Sequence, residues 1–289
     1  MNKLEKKYYP GWMAVPGVAI YIVIFVIPTF FSFYFSMTTW NLRTSTFTGL
    51  KNFSTFFSMT NTRSALINTA IYAFSTSSLK IVIALLLANY ICAGRKSSSY
   101  LKSMIYFPTL LGSVAVAIAF QTILDPTGIV NRLANGLNLP TIRYFTDPRY
   151  AMVSCILVDV WKGLGTAMMI YIAGLSAIPR TYYEAAAIDG ASPSQSFFRI
   201  TLPLMVPSIN TVLTLSLIGG LRTYELVYSL TGGGPGYSTE VLGSIIYKLF
   251  SRGSYGLATT GYVIMFVVIS LIIYPINTYV SRKGEEING

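Results

Sequence analysis

Long apolar runs set the first limit on what this chain can fold into. Met13 to Phe35, Ile67 to Ala93, Met104 to Leu124, Met152 to Ser176, Leu204 to Tyr224 and Gly261 to Val280 are each about as long as a bilayer crossing, roughly 20 residues. Lipid offers backbone amides no water, so a run that enters it must close its hydrogen bonds internally, as a helix does. The runs therefore predict an all-α integral membrane protein with six transmembrane helices in one domain over residues 1–289. Composition agrees: only 11% of residues are charged, less than half the roughly 25% of soluble domains.

The formal charge of +11 would suggest nucleic acid as partner for a soluble protein, but here the bases sit mainly in short connections between the runs. Bases in such connections set orientation, so no nucleic acid is expected. With the N-terminus inside, the inner segments carry Lys3, Lys6, Lys7, Arg95, Lys96, Lys102, Arg180, Arg199, Arg282 and Lys283. The longer outer loops carry Arg43, Lys51, Arg63, Arg132, Arg143, Arg149, Lys248 and Arg252. The density of bases places both termini in the cytoplasm. Met1 to Trp12 is basic and no small-residue cleavage site closes the first run, which predicts an uncleaved first span. Cys92 and Cys155 each lie in an apolar run and read as buried free thiols. The chain has no histidine, which removes Ser-His-Asp chemistry and the usual zinc sites.

The second run is uneven: AIYAFSTSSLK precedes a mostly apolar stretch from Ile81 to Ala93, so its Ser/Thr face should look inward. Hydroxyls there can serve packing or a pathway. Lys80 at mid-membrane costs about 2.5–3.5 kcal/mol unless it meets water or an acid. Pro28, Pro108, Pro207 and Pro275 interrupt or flank spans and mark places for kinks. Tyr and Phe are too numerous for composition to single out any one as a ligand.

Between the fourth and fifth runs, Ile178 to Pro203 is too polar to span and too patterned for a slack loop. It predicts two short helices. The first, from about Arg180 to Ile188, stops at Asp189-Gly190, where glycine can take the left-handed cap conformation. The second starts on Ser192, with Pro193 at the first helical position and Gln195 completing a capping box, and ends at Leu202-Pro203. Such a hairpin can dock on another protein or lie on the membrane surface with its aromatics in the interface.

EAAAIDGASPSQSFFRITLP resembles the EAA motif of ABC importer permeases: Glu184-Ala185-Ala186, Asp189-Gly190-Ala191 and Leu202-Pro203 all match. NTAIYAFSTSS and LTGGGPGYST extend the likeness over most of the chain. The second of these resembles the first permease of the paired carbohydrate importers, of maltose and glycerol-3-phosphate type. The resemblance implies the maltose-type (type I) permease fold in a bacterial cytoplasmic membrane, and a heterodimer with a second permease subunit. It also implies two cytoplasmic ATP-binding subunits engaged by the 178–203 hairpin, an extracytoplasmic solute-binding protein and a saccharide substrate. No G-x-x-x-x-G-K-[ST] phosphate loop is present, so the chain is expected to bind no cofactor and to have no ATPase site, ATP and Mg being held by the partner. The GGGPG run lies outside the membrane in this topology, as a flexible outer loop or a contact for the binding protein.

Asp159, Lys162, Gly163 and Thr166 follow at i, i+3, i+4, i+7 and share a helix face. They read either as an intrahelical Asp159–Lys162 pair or as a pathway wall in which glycine leaves room for a sugar ring. Alignment with the maltose-type permease on Glu184 implies the second reading, and on the following helix it selects Ser216, Gly219, Gly220 and Thr223. A charged pair departs from a neutral-sugar site: Lys162 with Arg222 would make the site net positive and suited to an acidic saccharide, whereas Lys162 neutralised by Asp159 and Arg222 paired with Glu225 or snorkelling would leave an electrically ordinary site for a neutral oligosaccharide. The alternatives are an ion-coupled secondary transporter using Lys80, Asp159, Lys162 and Arg222, or an ABC permease for a non-sugar solute. No clear inverted repeat supports the former.

Overall fold

The computed structural model describes residues 11–94 and 97–288, with side chains over 12–94 and 97–282. Lys3, Lys6, Lys7, Arg95 and Lys96 of the orientation argument lie outside the described residues, as does the Lys283 side chain. In chain order the helices are Trp12–Ser36 (α1), Lys51–Ser58 (α2), Thr62–Cys92 (α3), Ser98–Leu110 (α4), Ser113–Ile123 (α5), Ile129–Gly136 (α6), Pro148–Ala177 (α7), Arg180–Ile188 (α8), Pro193–Leu204 (α9), Val206–Leu221 (α10), Glu225–Thr231 (α11), Leu242–Ser251 (α12) and Tyr255–Asn288 (α13). Thr38–Trp40 (β1) pairs antiparallel with Ser45–Phe47 (β2).

Among the described residues, α1, α3, α7 and the Tyr255–Arg282 stretch of α13 are long and apolar enough to cross a membrane. The third run is not one straight helix: α4 and α5 meet at 103°. Pro108 lies in a tight 3₁₀ turn, and Leu111 and Gly112 then take extended backbone with ψ of 139° and 144°. The fifth run is α10, shorter than expected and joined to α9 at 64° across Met205. Pro207 sits in the first turn of α10, where a missing amide leaves no ladder gap. Pro275, by contrast, lies inside a continuous α13.

Pro28 and Pro203 have a local signature in common. The amide just before each proline reaches a carbonyl five residues back, Ile27 to Ile22 and Leu202 to Phe197. Proline has no N–H for the carbonyl four residues back and its ring crowds that group, and a wider π turn relieves the crowding. The second hairpin helix thus winds past Leu202-Pro203, where the sequence predicts its end, and stops at Leu204.

The described residues up to Met59 form one compact unit with Ile246–Ile264. In it, α1 buries only Ser36 at its end, as befits a helix solvated by lipid. Below it, the buried Asn52 donates to the Ser36 and Thr38 carbonyls at 3.0 and 2.8 Å, and Thr260 donates to Ser36 at 2.9 Å. The Phe35 and Trp40 rings stack at 4.3 Å.

The second unit takes in Thr60–Ile245 and the chain from Met265 onward. Here α3 packs along α7 and α10, with Ala73, Ala84 and Ala88 fully buried. Small residues let helix backbones approach where lipid supplies no hydrophobic drive. The Ser/Thr stretch of α3 looks inward in part: Thr76 and Ser77 are buried, as is Thr69 just before it, while Ser75 is half-buried and Ser78 exposed; Thr69 and Thr76 donate to their own helix carbonyls. Cys155 is buried as expected, whereas Cys92, the last residue of α3, is exposed.

Candidate functional site

The hairpin folds as its local chemistry directs. α8 spans Arg180–Ile188 and closes on Gly190 at φ +73°. The Ala191 amide returns to the Ala186 carbonyl at 2.9 Å and the Gly190 amide to Ala187 at 3.2 Å, the paired bonds of a Schellman cap. Across the corner, Gln195 donates its amide to the Ser192 hydroxyl at 3.3 Å, and the Ser192 amide donates to Gln195 Oε1 at 2.8 Å. Both arms are therefore capped within the hairpin. Tyr183 and Thr201 join them through a 3.0 Å hydroxyl pair. Ala186 is turned inward, while Glu184, Ala185, Asp189 and Gly190 are exposed; Leu202 and Pro203 are half-buried on the far arm. Ile188, at the tip, is 87% exposed, an apolar side chain with nothing of its own chain to cover it.

A second site lies between α3, α7 and α10. Lys80 donates to Asp159 Oδ2 at 2.7 Å, and these side chains keep 12% and 21% exposure. Lys80 thus meets an acid, and the intrahelical Asp159–Lys162 pair does not form. Lys162 turns away to donate to Ser113 Oγ at 2.9 Å, beside the corner where α4 meets α5. At about 100° per residue, Lys162 stands roughly a quarter turn from the Gly163–Thr166–Ile170 face, which explains the parting. Lys80, Gly163, Thr166, Ser216 and Gly219 line one cavity of about 140 Å³ with Ala167, Ile170, Val212 and Leu215.

Gly163 serves this cavity differently from the sequence expectation. A Cβ on it would lie 2.8 Å from both Lys80 Cε and Nζ, so the space over the glycine holds the lysine end and not a sugar ring. Gly220 leaves the wall altogether: its Cβ would stand 2.7 Å from Ala73 Cα, which makes it a packing contact with α3. Gly219, one residue away, faces open space. Thr223 lies past the end of α10 and Arg222 beside it is exposed; neither they nor Asp159 and Lys162 line this cavity.

The LTGGGP segment is not slack. Asn68 on α3 donates to the Tyr237 and Glu240 carbonyls, both at 3.0 Å, and the Leu242 amide donates to Thr69 Oγ1 at 2.8 Å. Thr239 donates to the Gly234 carbonyl at 2.8 Å, and the fully buried Glu240 accepts from Ser244 at 2.5 Å. Sequence reasoning missed this clamp, although NTAIYAFSTSS and LTGGGPGYST supply its two halves.

Membrane-length helices around a small recess, with a capped hairpin packed on their α3–α7 core through Phe197 and Leu202, are the build of a membrane transport subunit. Residues 80–284 match the family of binding-protein-dependent transport system inner membrane components, and the chain belongs to that family. It is 28% identical to the multiple sugar-binding transport system permease protein MsmF of Streptococcus mutans over 99% of each chain. It is 34% identical to the lactose transport system permease protein LacF of Rhizobium radiobacter over 92% of this chain and 93% of that one. Among solved structures, a chain of a bacterial ABC transporter that imports the acidic polysaccharide alginate superposes with a TM-score of 0.80 at 25% identity, over 97% of this chain and 99% of that one. The same kind of transporter in complex with an alginate pentasaccharide-bound periplasmic protein gives 0.79 at 25% identity, over 97% and 96%. The chain is a multi-pass sugar permease of the ABC type.

Proposed function

We propose that this chain is one of two different permease subunits in an ATP-driven importer of oligosaccharides in a bacterial cytoplasmic membrane. Each bent helix pair counts as one crossing, giving six, with both termini and the hairpin in the cytoplasm. The hairpin seats in one of two ATP-binding subunits, which hold ATP and Mg and on which this chain depends, while a solute-binding protein delivers sugar from outside. The observation that carries this reading is the hairpin itself, whose corner is capped internally and whose tip holds Ile188 87% exposed in what would be water. One exposed apolar side chain is ordinary on a protein surface; what supports a partner is its place at the tip of a hairpin capped at both arms whose sequence resembles the EAA motif.

The wall of the sugar pathway is assigned to the cavity between α3, α7 and α10. At about 140 Å³ it is smaller than the 300–1,000 Å³ of a complete ligand pocket, as suits one wall of a site shared with a second subunit. The test of the coupling reading is Ile188→Asp together with Gly190→Arg. Each should leave the two permeases paired but strip the ATPase from the purified complex. Normal ATPase recovery with undiminished transport in both variants refutes the assignment.

A further inference from the structure

α6 is inside out for a helix in water. Ile129, Leu133 and Leu137 recur at i, i+4 and i+8, and at about 100° per residue they fall on one narrow stripe. They are 61%, 66% and 74% exposed, and Leu139 just beyond is exposed as well. Asn131, on the opposite side of the helix, is fully buried. A surface helix in water shows the reverse, with its apolar stripe inward and its amides out. These side chains form one contiguous apolar face, which single exposed leucines do not.

The inversion is held firmly in place. Asn131 donates to the Asp125 and Ile142 carbonyls at 2.9 and 3.0 Å and accepts from the Ile142 amide at 2.9 Å. Arg132 Nε donates to the Thr127 carbonyl at 2.7 Å, and Thr141 donates to Asn135 Oδ1 at 3.1 Å. The loop thus spends these polar groups on itself and presents the stripe with no partner needed to shape it. Its height is fixed by Gly128, where a Cβ would stand 2.5 and 2.6 Å from the Thr122 and Ile123 carbonyl oxygens. α6 therefore starts against the last turn of α5. Val114, Ile118 and Ile123 of α5 are exposed apolar side chains, as in a helix that meets lipid.

We propose that α6 is an interfacial foot, lying on the outer leaflet with Ile129, Leu133 and Leu137 among the acyl chains and Arg132, at the edge of the stripe, reaching the lipid phosphates. This goes beyond the proposed function and rests only on its topology, which puts the α5–α7 connection outside. Two features favour lipid over a docking protein. The stripe begins where a lipid-facing helix ends, and an interfacial helix buries its apolar face only about 5–10 Å deep, at the level of such an end. A protein-binding face also carries a polar rim that hydrogen-bonds across to its partner, whereas Asn131, Arg132 and Thr141 are turned to their own loop. The foot also bears on the rest of the outer surface. Gln121 of α5 donates to the Ser229 and Leu230 carbonyls of α11 at 3.0 and 2.9 Å, so α11, which leads into the LTGGGP segment, shares the height in the bilayer that α6 sets.

The experiment uses the complete transporter in nanodiscs of phosphatidylethanolamine and phosphatidylglycerol, spin-labelled at Leu133→Cys in a Cys92→Ser background, Cys155 being buried. Oxygen, which concentrates among acyl chains, should reach the label more than a water-soluble nickel chelate does, and loaded binding protein should leave both accessibilities unchanged. A label reached more by the chelate overturns the proposal. Loss of both accessibilities also overturns it: on addition of binding protein it shows a dock for that protein, and before addition a contact with the second permease. Ile129→Ser with Leu137→Ser spares the hydrogen bonds of the loop and should shift the Leu133 label toward the chelate; an unshifted label overturns the proposal, because the stripe then does not set its depth. Asn135→Cys, off the stripe and exposed, separates this failure from failure of the topology. In sealed right-side-out vesicles it should react with an impermeant thiol reagent. Reaction only after permeabilisation puts the loop inside, and both readings fall; reaction from outside with a water-exposed Leu133 label removes the foot alone.

Discussion

Gly219 and Gly220 are neighbours on α10 with opposite surroundings, and alanine at each isolates the difference. Alanine lowers the conformational entropy cost of a helix by roughly 0.5–1 kcal/mol at either position. At Gly219 the new methyl meets nothing within 4 Å, so the variant should be as stable as wild type or slightly more. At Gly220 it would stand 2.7 Å from Ala73 Cα, 3.0 Å from Ala73 Cβ and 3.3 Å from Thr76 Oγ1. The first of these is backbone and cannot swing aside, so α3 and α10 must separate. Overpacking of this kind costs about 1–3 kcal/mol, which exceeds the helix gain. The two variants should therefore differ by about 1–3 kcal/mol, read as a lower temperature at which the Gly220→Ala complex loses its monodisperse peak in detergent. Equal thermal stability of Gly219→Ala and Gly220→Ala would falsify the packing role assigned to Gly220 and, with it, the division between wall and contact on this helix.

Further outcomes follow from other contacts. Ser192→Ala removes the side-chain half of the corner cap and should weaken the hairpin by about 0.5–2 kcal/mol, seen as faster proteolysis between residues 188 and 198 with the membrane helices intact; an unchanged cleavage rate would count against the cap. Asn68→Asp takes both donors from the Tyr237 and Glu240 carbonyls and sets a carboxylate against them, so it should open the LTGGGP loop to protease more than Asn68→Ala does. Equal susceptibility of wild type and both variants would show that the loop is held elsewhere.

The hairpin was legible nearly to the residue because everything that shapes it is local. Ser192, Pro193 and Gln195 announce a helix start within four positions, and Asp189-Gly190 announces a stop, so no tertiary information is needed. Its far end was misplaced because proline ordinarily breaks a helix, and the π turn that lets α9 continue past Pro203 has no signature apart from the proline. The apolar runs were legible as membrane-length segments, but the 103° corner in the third was not, since Pro108 and Gly112 are ordinary members of a membrane helix. Partners across helices were harder still. Asp159 and Lys162 share a helical face in sequence, while the true partner of Asp159 lies 79 positions away and is set by how α3 registers against α7. Gly219 and Gly220 look alike in sequence for the same reason: only the neighbouring helix distinguishes them.

The connection between the two sites is covalent on both sides. α7, which carries Asp159, Gly163 and Thr166, runs through Ile178 and Pro179 directly into α8; α9, the other arm, turns at Met205 into α10, which carries Ser216 and Gly219. A rotation or shift of the hairpin therefore acts on two walls of the cavity at once, through elements of unequal stiffness. The α7 arm passes through a short extended link at Ile178 and Pro179, with ψ of 122° and 135°. The α9 arm passes through a π turn, then Leu202–Leu204, then the 64° bend at the fully buried Met205. Tyr183 and Thr201 bind the arms together above these links, so the hairpin moves as a piece and its displacement must be absorbed below it. Hinges are residues that take up backbone change between rigid elements, and both links have that character. On the proposed function, closure of the ATP-binding subunits would then change the spacing of α7 and α10 at the cavity, and because Lys80 belongs to α3, it would also change how far the Lys80–Asp159 pair stands from the Ser216 wall.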